Sequence, residues 1–364
     1  MKKTVVLLFI LISFIPHKCS AISAQSAVLI DSTSGRVLYE HNAHQKLPMA
    51  STTKIMTGLL AVESGKLSES VKTSAFASGT EGSSLWLKIG EKQTLENLTY
   101  GLMLKSGNDA AVAISEHLGG NTDAFALMMN ERAKKIGALN TSFKNPHGLD
   151  SEGHYTTAYD LALIAREAMK NKKFREIVST KNYSIPMEGE KWNRALKNHN
   201  KLLWQYDGCN GIKTGYTKKC GRCLVSSAKR NGLELICVTL NASDDWNDHK
   251  YLLDCGFENY YSKTAVNKGE IMGEIETEEG KVFLVTKNGV SLTLKNGEET
   301  SVKTIVTKKT LPIKKDEKLG VVEIYSNGEK VGETPLVAEK TVKKAGFFQK
   351  ILKWFKLILK KLHI

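Results

Sequence analysis

Ser51 and Lys54, in "ASTTKIMT" (50–57), pair a hydroxyl with an amine three residues away. A serine is a poor nucleophile at neutral pH and needs a base within hydrogen-bond reach. A lysine serves only if burial or a nearby cation holds it neutral. The spacing works on a helix, where i and i+3 share a face, and fails on a strand, where they point to opposite faces. The chain has a second such pair, Ser226 and Lys229 in "CLVSSAKR". That segment reads as a strand, so its two side chains cannot cooperate. Ser51 opens an apolar-periodic run and sits where helix N–H groups lack partners. An ordinary helix cap followed by a solvated lysine would look the same.

Acyl transfer also needs a proton donor for the leaving group, an oxyanion site and a substrate clamp. "LKSGNDAA" (104–111) places Ser106 and Asn108 in a loop before a helix, and "NGIKTGYT" (210–217) places Lys213, Thr214 and Gly215 on a strand. Lys213 offers a fixed cation and Thr214 a hydroxyl. Gly215 leaves an edge without a side chain, where a substrate backbone can approach. Each motif alone reads as a capped helix or an exposed strand. The ordered set carries more information than its parts.

The elements that must position these groups are readable from pattern. "AVLID" (27–31) and "RVLYE" (36–40), joined by "STSG", predict a hairpin. Ile55, Met56, Leu59, Leu60 and Val62 form one apolar stripe ending near Gly65, and further helices fit 94–104, 108–118, 122–136 and 157–170. Strands return from residue 208, two of them linked across Asn231-Gly232, and a helical stretch with Trp246, Tyr251 and Leu252 follows. Helices inserted between strands from both ends of the chain predict an α/β (α+β) domain, an antiparallel sheet flanked by helices. Residues 265–340, with short β-rich runs between turns such as "KNGEE" and "SNGEK", predict a small all-β sandwich.

The two ends differ from the body. "MKKTVVLLFILISFIPHKCSA" has the layout of a secretory signal peptide, with cleavage after Ala21 or Ala24. Residues 347–362 place Phe347, Ile351, Trp354, Phe355, Ile358 and Leu362 on one helical face and Lys350, Lys353, Lys356 and Lys360 on the other. Such a helix suits the plane of an anionic membrane surface. Residues 340–364 hold eight lysines and the signal three more, which accounts for most of the net charge of +14. The body is nearly neutral, so nucleic-acid binding is excluded as the main role.

Five cysteines follow the signal: Cys209, Cys220, Cys223, Cys237 and Cys255. An odd number outside the cytoplasm implies a free thiol or an intermolecular bridge. "CGRC" (220–223) has no second Cys-x-x-Cys to complete a zinc site, leaving a disulfide or inert thiols open.

Ser-x-x-Lys opening a helix, Ser-x-Asn in a loop and Lys-Thr-Gly on a strand is the ordered set of penicillin-binding proteins and class A β-lactamases. With "SAVLIDSTSGRVLYEHNA", "LPMASTTKIMT" and "NPHGLDSEGHYTTAYDLALIA", the chain resembles the low-molecular-weight penicillin-binding proteins that are D-alanyl-D-alanine carboxypeptidases. One departure is "KKCGRC" after Lys-Thr-Gly, which puts a thiol near the active-site strand.

The resemblance implies a serine carboxypeptidase that removes the terminal D-alanine from peptidoglycan stem peptides, with β-lactams as inhibitors and no metal or cofactor. It makes Ser51 the nucleophile, Lys54 its base and Ser106 the proton donor to the leaving amine. Asn108 then orients Lys54 and substrate, Lys213, Thr214 and Gly215 bind the terminal residue, and the N–H groups of Ser51 and Tyr216 face the oxyanion. The implied organisation is a signal (1–24), a catalytic domain (25–262), a β-rich domain (263–340) and a membrane-anchor helix (341–364), so an exported protein held at the outer face of the membrane. A β-lactamase using Glu167 and Asn171, a D,D-endopeptidase on the same scaffold, and an idle wall-binding module are the competing readings.

Overall fold

The structure, a computed structural model, describes residues 22–307 and 310–344 together with positions 346 and 351. The expected signal segment and C-terminal helix lie largely outside the described residues. The chain divides into two units at Asn259 and Tyr260.

In the first unit, β1 (Ser26–Asp31) and β2 (Val37–His41) join β3 (Cys209–Thr217), β4 (Gly221–Arg230) and β5 (Leu233–Ala242) in one antiparallel sheet, in the order β2-β1-β5-β4-β3. Strand β1 is buried along its whole length, because helices cover both faces of the sheet. One face packs on α5 (Ala158–Lys170) and the other on α7 (Asp245–Asn259). Strand β3 is an edge, so its outer N–H and C=O groups are open to an extended ligand.

The inserted helices are α1 (Lys54–Glu63), α2 (Leu95–Leu104), α3 (Asn108–Gly119), α4 (Thr122–Ile136), α5 and α6 (Lys172–Ser179). Their boundaries follow capping chemistry. Thr94, Asn121 and Thr157 accept from the N–H three residues on, and Gly120 and Gly137 end their helices in the left-handed region. Helix α1 is buried on nearly all sides and forms the centre of the unit, with Ile55, Met56 and Leu59 fully enclosed. Helix α6 and the hairpin Asn182–Pro186/Asn193–Lys197 are additions to the expected elements.

In the second unit, five antiparallel strands from Ile271–Thr277 to Glu329–Ala338 form one sheet, and Tyr260–Val266 pairs with Val290–Lys295 in another. Val266, Leu292 and Leu294 of the small sheet share a core with Leu284, Val322, Ile324 and Leu336 of the large one. This is the two-layer arrangement expected for a sandwich.

Candidate active site

Ser51 lies on a 3-10 turn, Ala50–Thr53, that leads directly into α1. Its side chain caps nothing, contrary to the cap reading, because the turn supplies its own backbone bonds. Ala50 holds a left-handed φ of 47°, which turns the chain and aims Ser51 into a 390 Å³ cavity. Behind the turn, Gly148 is packed so closely that a Cβ there would stand 1.9 Å from the Ala50 carbonyl oxygen.

Lys54 opens α1 with its side chain entirely buried. Its Nζ reaches Ser51 Oγ at 3.0 Å, Asn108 Oδ1 at 2.7 Å and the His147 carbonyl at 2.6 Å. Two of these partners can only accept. A neutral amine has two N–H groups for them and one lone pair left, directed at the Ser51 hydroxyl. Burial, reinforced by the positive charge of Lys213, pushes the Lys54 pKa well below its usual value, although Asp109 opposes the shift. Ser51 thus faces a base within hydrogen-bond reach.

Ser106 sits between α2 and α3 with φ 64° and lines the same cavity. Asn108 opens α3. Its Oδ1 receives the Lys54 amine, its Nδ2 donates to the Glu81 carbonyl at 2.5 Å and its backbone N–H donates to Ser83 at 2.6 Å. Both ends of the amide are used, so it cannot flip without losing a bond.

On β3, Lys213 is buried and donates to the Thr214 carbonyl at 2.9 Å. Burial lowers its pKa to about 7. Thr214, Gly215 and Tyr216 line the cavity, and Tyr216 is 65% exposed. Gly215 meets the nucleophile turn, since a Cβ there would lie 3.1 Å from the backbone nitrogens of Ser51 and Thr52. All eight residues selected from the sequence therefore converge on one place.

Several positioning groups were not legible. Asp109, fully buried, accepts from the N–H groups of Leu85 and Leu87 and from Ser84 Oγ, and so ties the loop carrying Ser83 to α3. The segment 145–149 is fastened to α1 by Thr57 Oγ1 donating to the Pro146 carbonyl at 2.6 Å, and Asn145 Oδ1 accepts from Gly148 N–H at 2.7 Å. These contacts hold the His147 carbonyl against Lys54. Backbone acceptors have no residue-type signal, and only the cluster of Asn, Pro and Gly hinted at a built turn.

Two alternatives are resolved by geometry. Glu167 is held by Arg132 at 2.8 Å and Lys170 at 2.7 Å, and Asn171 caps α6. The Glu-x-x-x-Asn pair is thus structural. Ser226 Oγ bonds His249 Nδ1 at 2.6 Å, while Lys229 is exposed. Cys220 and Cys223 are free thiols, with Cys223 opposite Gly215 in register.

A helix-covered antiparallel sheet bearing a serine and a buried lysine, with a Lys-Thr-Gly edge strand, defines the penicillin-recognising serine acyl-transferase class. Residues 13–244 match the peptidase S11 family, D-alanyl-D-alanine carboxypeptidase, and residues 260–344 match the C-terminal domain of penicillin-binding protein 5. The chain belongs to this carboxypeptidase family. It is 37% identical over 341 residues to D-alanyl-D-alanine carboxypeptidase DacF of Bacillus subtilis, covering 89% of this chain and 87% of that protein. It is 32% identical over 361 residues to DacA of Escherichia coli K12, covering 93% and 88%. Penicillin-binding protein 5 of Haemophilus influenzae superposes with a TM-score of 0.74 at 28% identity, covering 89% of this chain and 99% of that one.

Proposed function

We propose that the protein is a serine D-Ala-D-Ala carboxypeptidase acting on peptidoglycan stem peptides through an ester on Ser51. The observation that carries this reading is the Lys54 amine, buried, held by two carbonyl acceptors and facing Ser51 Oγ. Lys54 takes the Ser51 proton as Oγ attacks the penultimate D-alanine carbonyl. The N–H groups of Ser51 and Tyr216 receive the oxyanion, one from the turn and one from the strand edge. Ser106 delivers a proton to the departing amine, and the C–N bond breaks. Lys213 and Thr214 hold the terminal carboxylate, and Asn108 keeps Lys54 and substrate aligned. Water then cleaves the ester and restores Ser51, with no cofactor or metal in the cycle.

The direct test is labelled penicillin, whose strained amide takes the place of the dipeptide. The protein should retain the label covalently and Ser51→Ala should not. Equal labelling of the two would reject the nucleophile.

The organisation that accompanies this function is an exported catalytic domain (25–262), a β-rich domain (263–340) and a membrane-surface helix (341–364). The division near Asn259 supports the first boundary. The anchor rests on the amphipathic sequence alone, and no helix among the described residues is long and apolar enough to cross a membrane. Binding to anionic vesicles that is lost on removing residues 341–364 tests it.

A further inference from the structure

Trp86 is, at 81%, the most exposed of the large apolar side chains among the described residues, and its backbone is held in the left-handed region at φ 60°. A bulky residue keeps that conformation only where its surroundings over-determine it. Here they do. The N–H groups of Leu85 and Leu87 both donate to Asp109, Trp86 N–H donates to Ser84 Oγ at 2.8 Å, and Arg194 Nη2 donates to the Trp86 carbonyl at 3.3 Å. Leu85 and Leu87 are buried on either side. The loop thus fixes an indole outward that adds little to the core.

Three segments are fastened together around this position. Arg194 also donates to Glu91 at 3.0 and 3.2 Å, Lys88 pairs with Glu190 at 2.8 Å, and Lys92 N–H donates to Glu188 at 2.9 Å. These bonds staple residues 86–92 to the hairpin Asn182–Pro186/Asn193–Lys197 and its turn. Ser78 Oγ donates to the Leu87 carbonyl at 2.7 Å, which adds the short helix Ala75–Ser78. The joined segments expose Phe76, Trp86, Ile89 and Trp192, between 64% and 81% each. A single exposed apolar residue is ordinary, but apolar exposure concentrated on segments stapled together belongs to a binding surface.

The patch is continuous with the catalytic cavity. Ser83 lines that cavity, its carbonyl accepts from Asn108 N–H at 2.6 Å, and Trp86 follows within about 11 Å along the chain. In a stem peptide about four residues separate the attacked carbonyl from the sugar that carries the peptide, a reach of at most roughly 14 Å. The patch therefore lies within reach of the carrier sugar. Its chemistry agrees. Lys88 and Arg194 are already paired with Glu190 and Glu91, so these charges are neutralised and the patch offers ring faces. A pyranose is uncharged, and its C–H face stacks on the electron-rich face of an indole. An anionic bilayer would instead meet the carboxylates of Glu188 and Glu190.

We propose that Trp86 and Trp192 form a stacking platform for the glycan strand that bears the stem peptides, so that the enzyme holds the polymer through its sugars while Ser51 works on the peptide. The proposal rests on the peptidoglycan reading above for its substrate, and not on the roles of the individual catalytic residues.

The test compares the full chain with Trp192→Ala and with Trp86→Asn, chosen because asparagine tolerates a left-handed φ. Bare glycan strands freed of their peptides and immobilised on a sensor surface are the binding probe. A free stem pentapeptide and the same pentapeptide carried on a glycan oligomer are the kinetic probes. The parent should bind bare glycan, and each variant should lose about tenfold in affinity. The kcat/KM for the glycan-borne peptide should fall by about the same factor, carried by KM, while the free pentapeptide rate and penicillin acylation stay within about twofold. Trp192→Phe should keep most of the binding, because it keeps a ring face. Trp192 is outside the loop that carries Ser83, so its variant decides the matter even where Trp86→Asn disturbs that loop. No binding of bare glycan by a parent that penicillin labels, or unchanged glycan affinity in both variants, would overturn the platform and leave the Ser51 assignment standing. Loss of anionic-vesicle binding in the variants with glycan affinity unchanged would assign the patch to lipid and equally overturn it. A parent that binds glycan but takes no penicillin label would overturn the Ser51 assignment alone.

Discussion

Asn108 Oδ1 accepts from Lys54 Nζ at 2.7 Å, so the buried amine is held by an amide rather than a carboxylate. The distinction decides its protonation. A carboxylate at that distance would favour the ammonium form, whereas an amide oxygen accepts equally from the neutral amine. Asp109, whose charge acts on Lys54, has its oxygens occupied by Leu85, Leu87 and Ser84.

Asn108→Asp should therefore raise the Lys54 pKa and slow penicillin acylation at pH 7 by about tenfold or more. The rate should recover as the pH is raised, because the base is regained by deprotonation. A stopped-flow acylation profile against pH checks this. A pH-independent loss would instead assign Asn108 to substrate contact alone.

Lys213 titrates in the opposite functional sense. With its pKa lowered to about 7 by burial, it loses the charge that clamps a carboxylate as the pH rises above neutrality. The kcat/KM of a D-Ala-D-Ala peptide should fall on the alkaline side with an apparent pKa near 7, and Lys213→Arg should move that limb up, because a guanidinium stays charged. Lys213→Ala should lose roughly 2–4 kcal/mol of transition-state stabilisation. Unchanged activity in Lys213→Ala would reject the clamp.

The sequence disclosed those residues whose type carries the chemistry, and concealed those that act through backbone. Ser51, Lys54, Ser106, Asn108 and Lys213 were visible because each stood in a spacing that one element type makes meaningful. The helix ends at Thr94, Asn121 and Thr157 were visible through capping. The His147 carbonyl was not, since any residue supplies a carbonyl. Asp109 was hidden for another reason: an acid in the first turn of a helix looks like a favourable dipole partner, and its bonds to Leu85 and Leu87 depend on a loop more than twenty positions away. The hairpin Asn182–Pro186/Asn193–Lys197 buries only Ile185 and Leu196 among its strand residues, too few to leave a clear alternation.

Gly148 couples that hidden turn to the nucleophile. Its φ is 94°, and a Cβ would stand 1.9 Å from the Ala50 oxygen and 2.9 Å from Thr53 Oγ1. Gly148→Ala must move the 3-10 turn or the 145–149 segment, so acylation of Ser51 should fall steeply and unfolding should cost about 2–5 kcal/mol less. Gly65→Ala is the control. Gly65 also has positive φ but open space around it, so that change should cost only about 1–2 kcal/mol and leave acylation intact. Similar acylation rates in the two variants would sever the proposed link between Gly148 and Ser51.

Acid should weaken the same region before it denatures the second unit. His154 Nδ1 accepts from Lys144 N–H at 3.0 Å, which leaves the Nε2 proton to bond Thr53 Oγ1 at 2.8 Å, and protonation removes the acceptor. Burial lowers the pKa of His154 to about 4, and burial with the charge of Lys54 lowers that of His147 to about 3. His249, enclosed between Ser226 and Thr239, is lowered to about 3 by burial. For each ring the unfolded chain binds more protons than the folded one between the lowered value and about 6.5, so stability rises with pH across that window. It is fully present above about pH 6.5 and is lost progressively as the pH falls towards 4. Denaturant unfolding from pH 7 to pH 4 should show this slope, and His249→Gln, if it keeps both hydroxyl partners, should flatten it. A first unit equally stable at pH 4 and pH 7 would show that these rings are not held neutral.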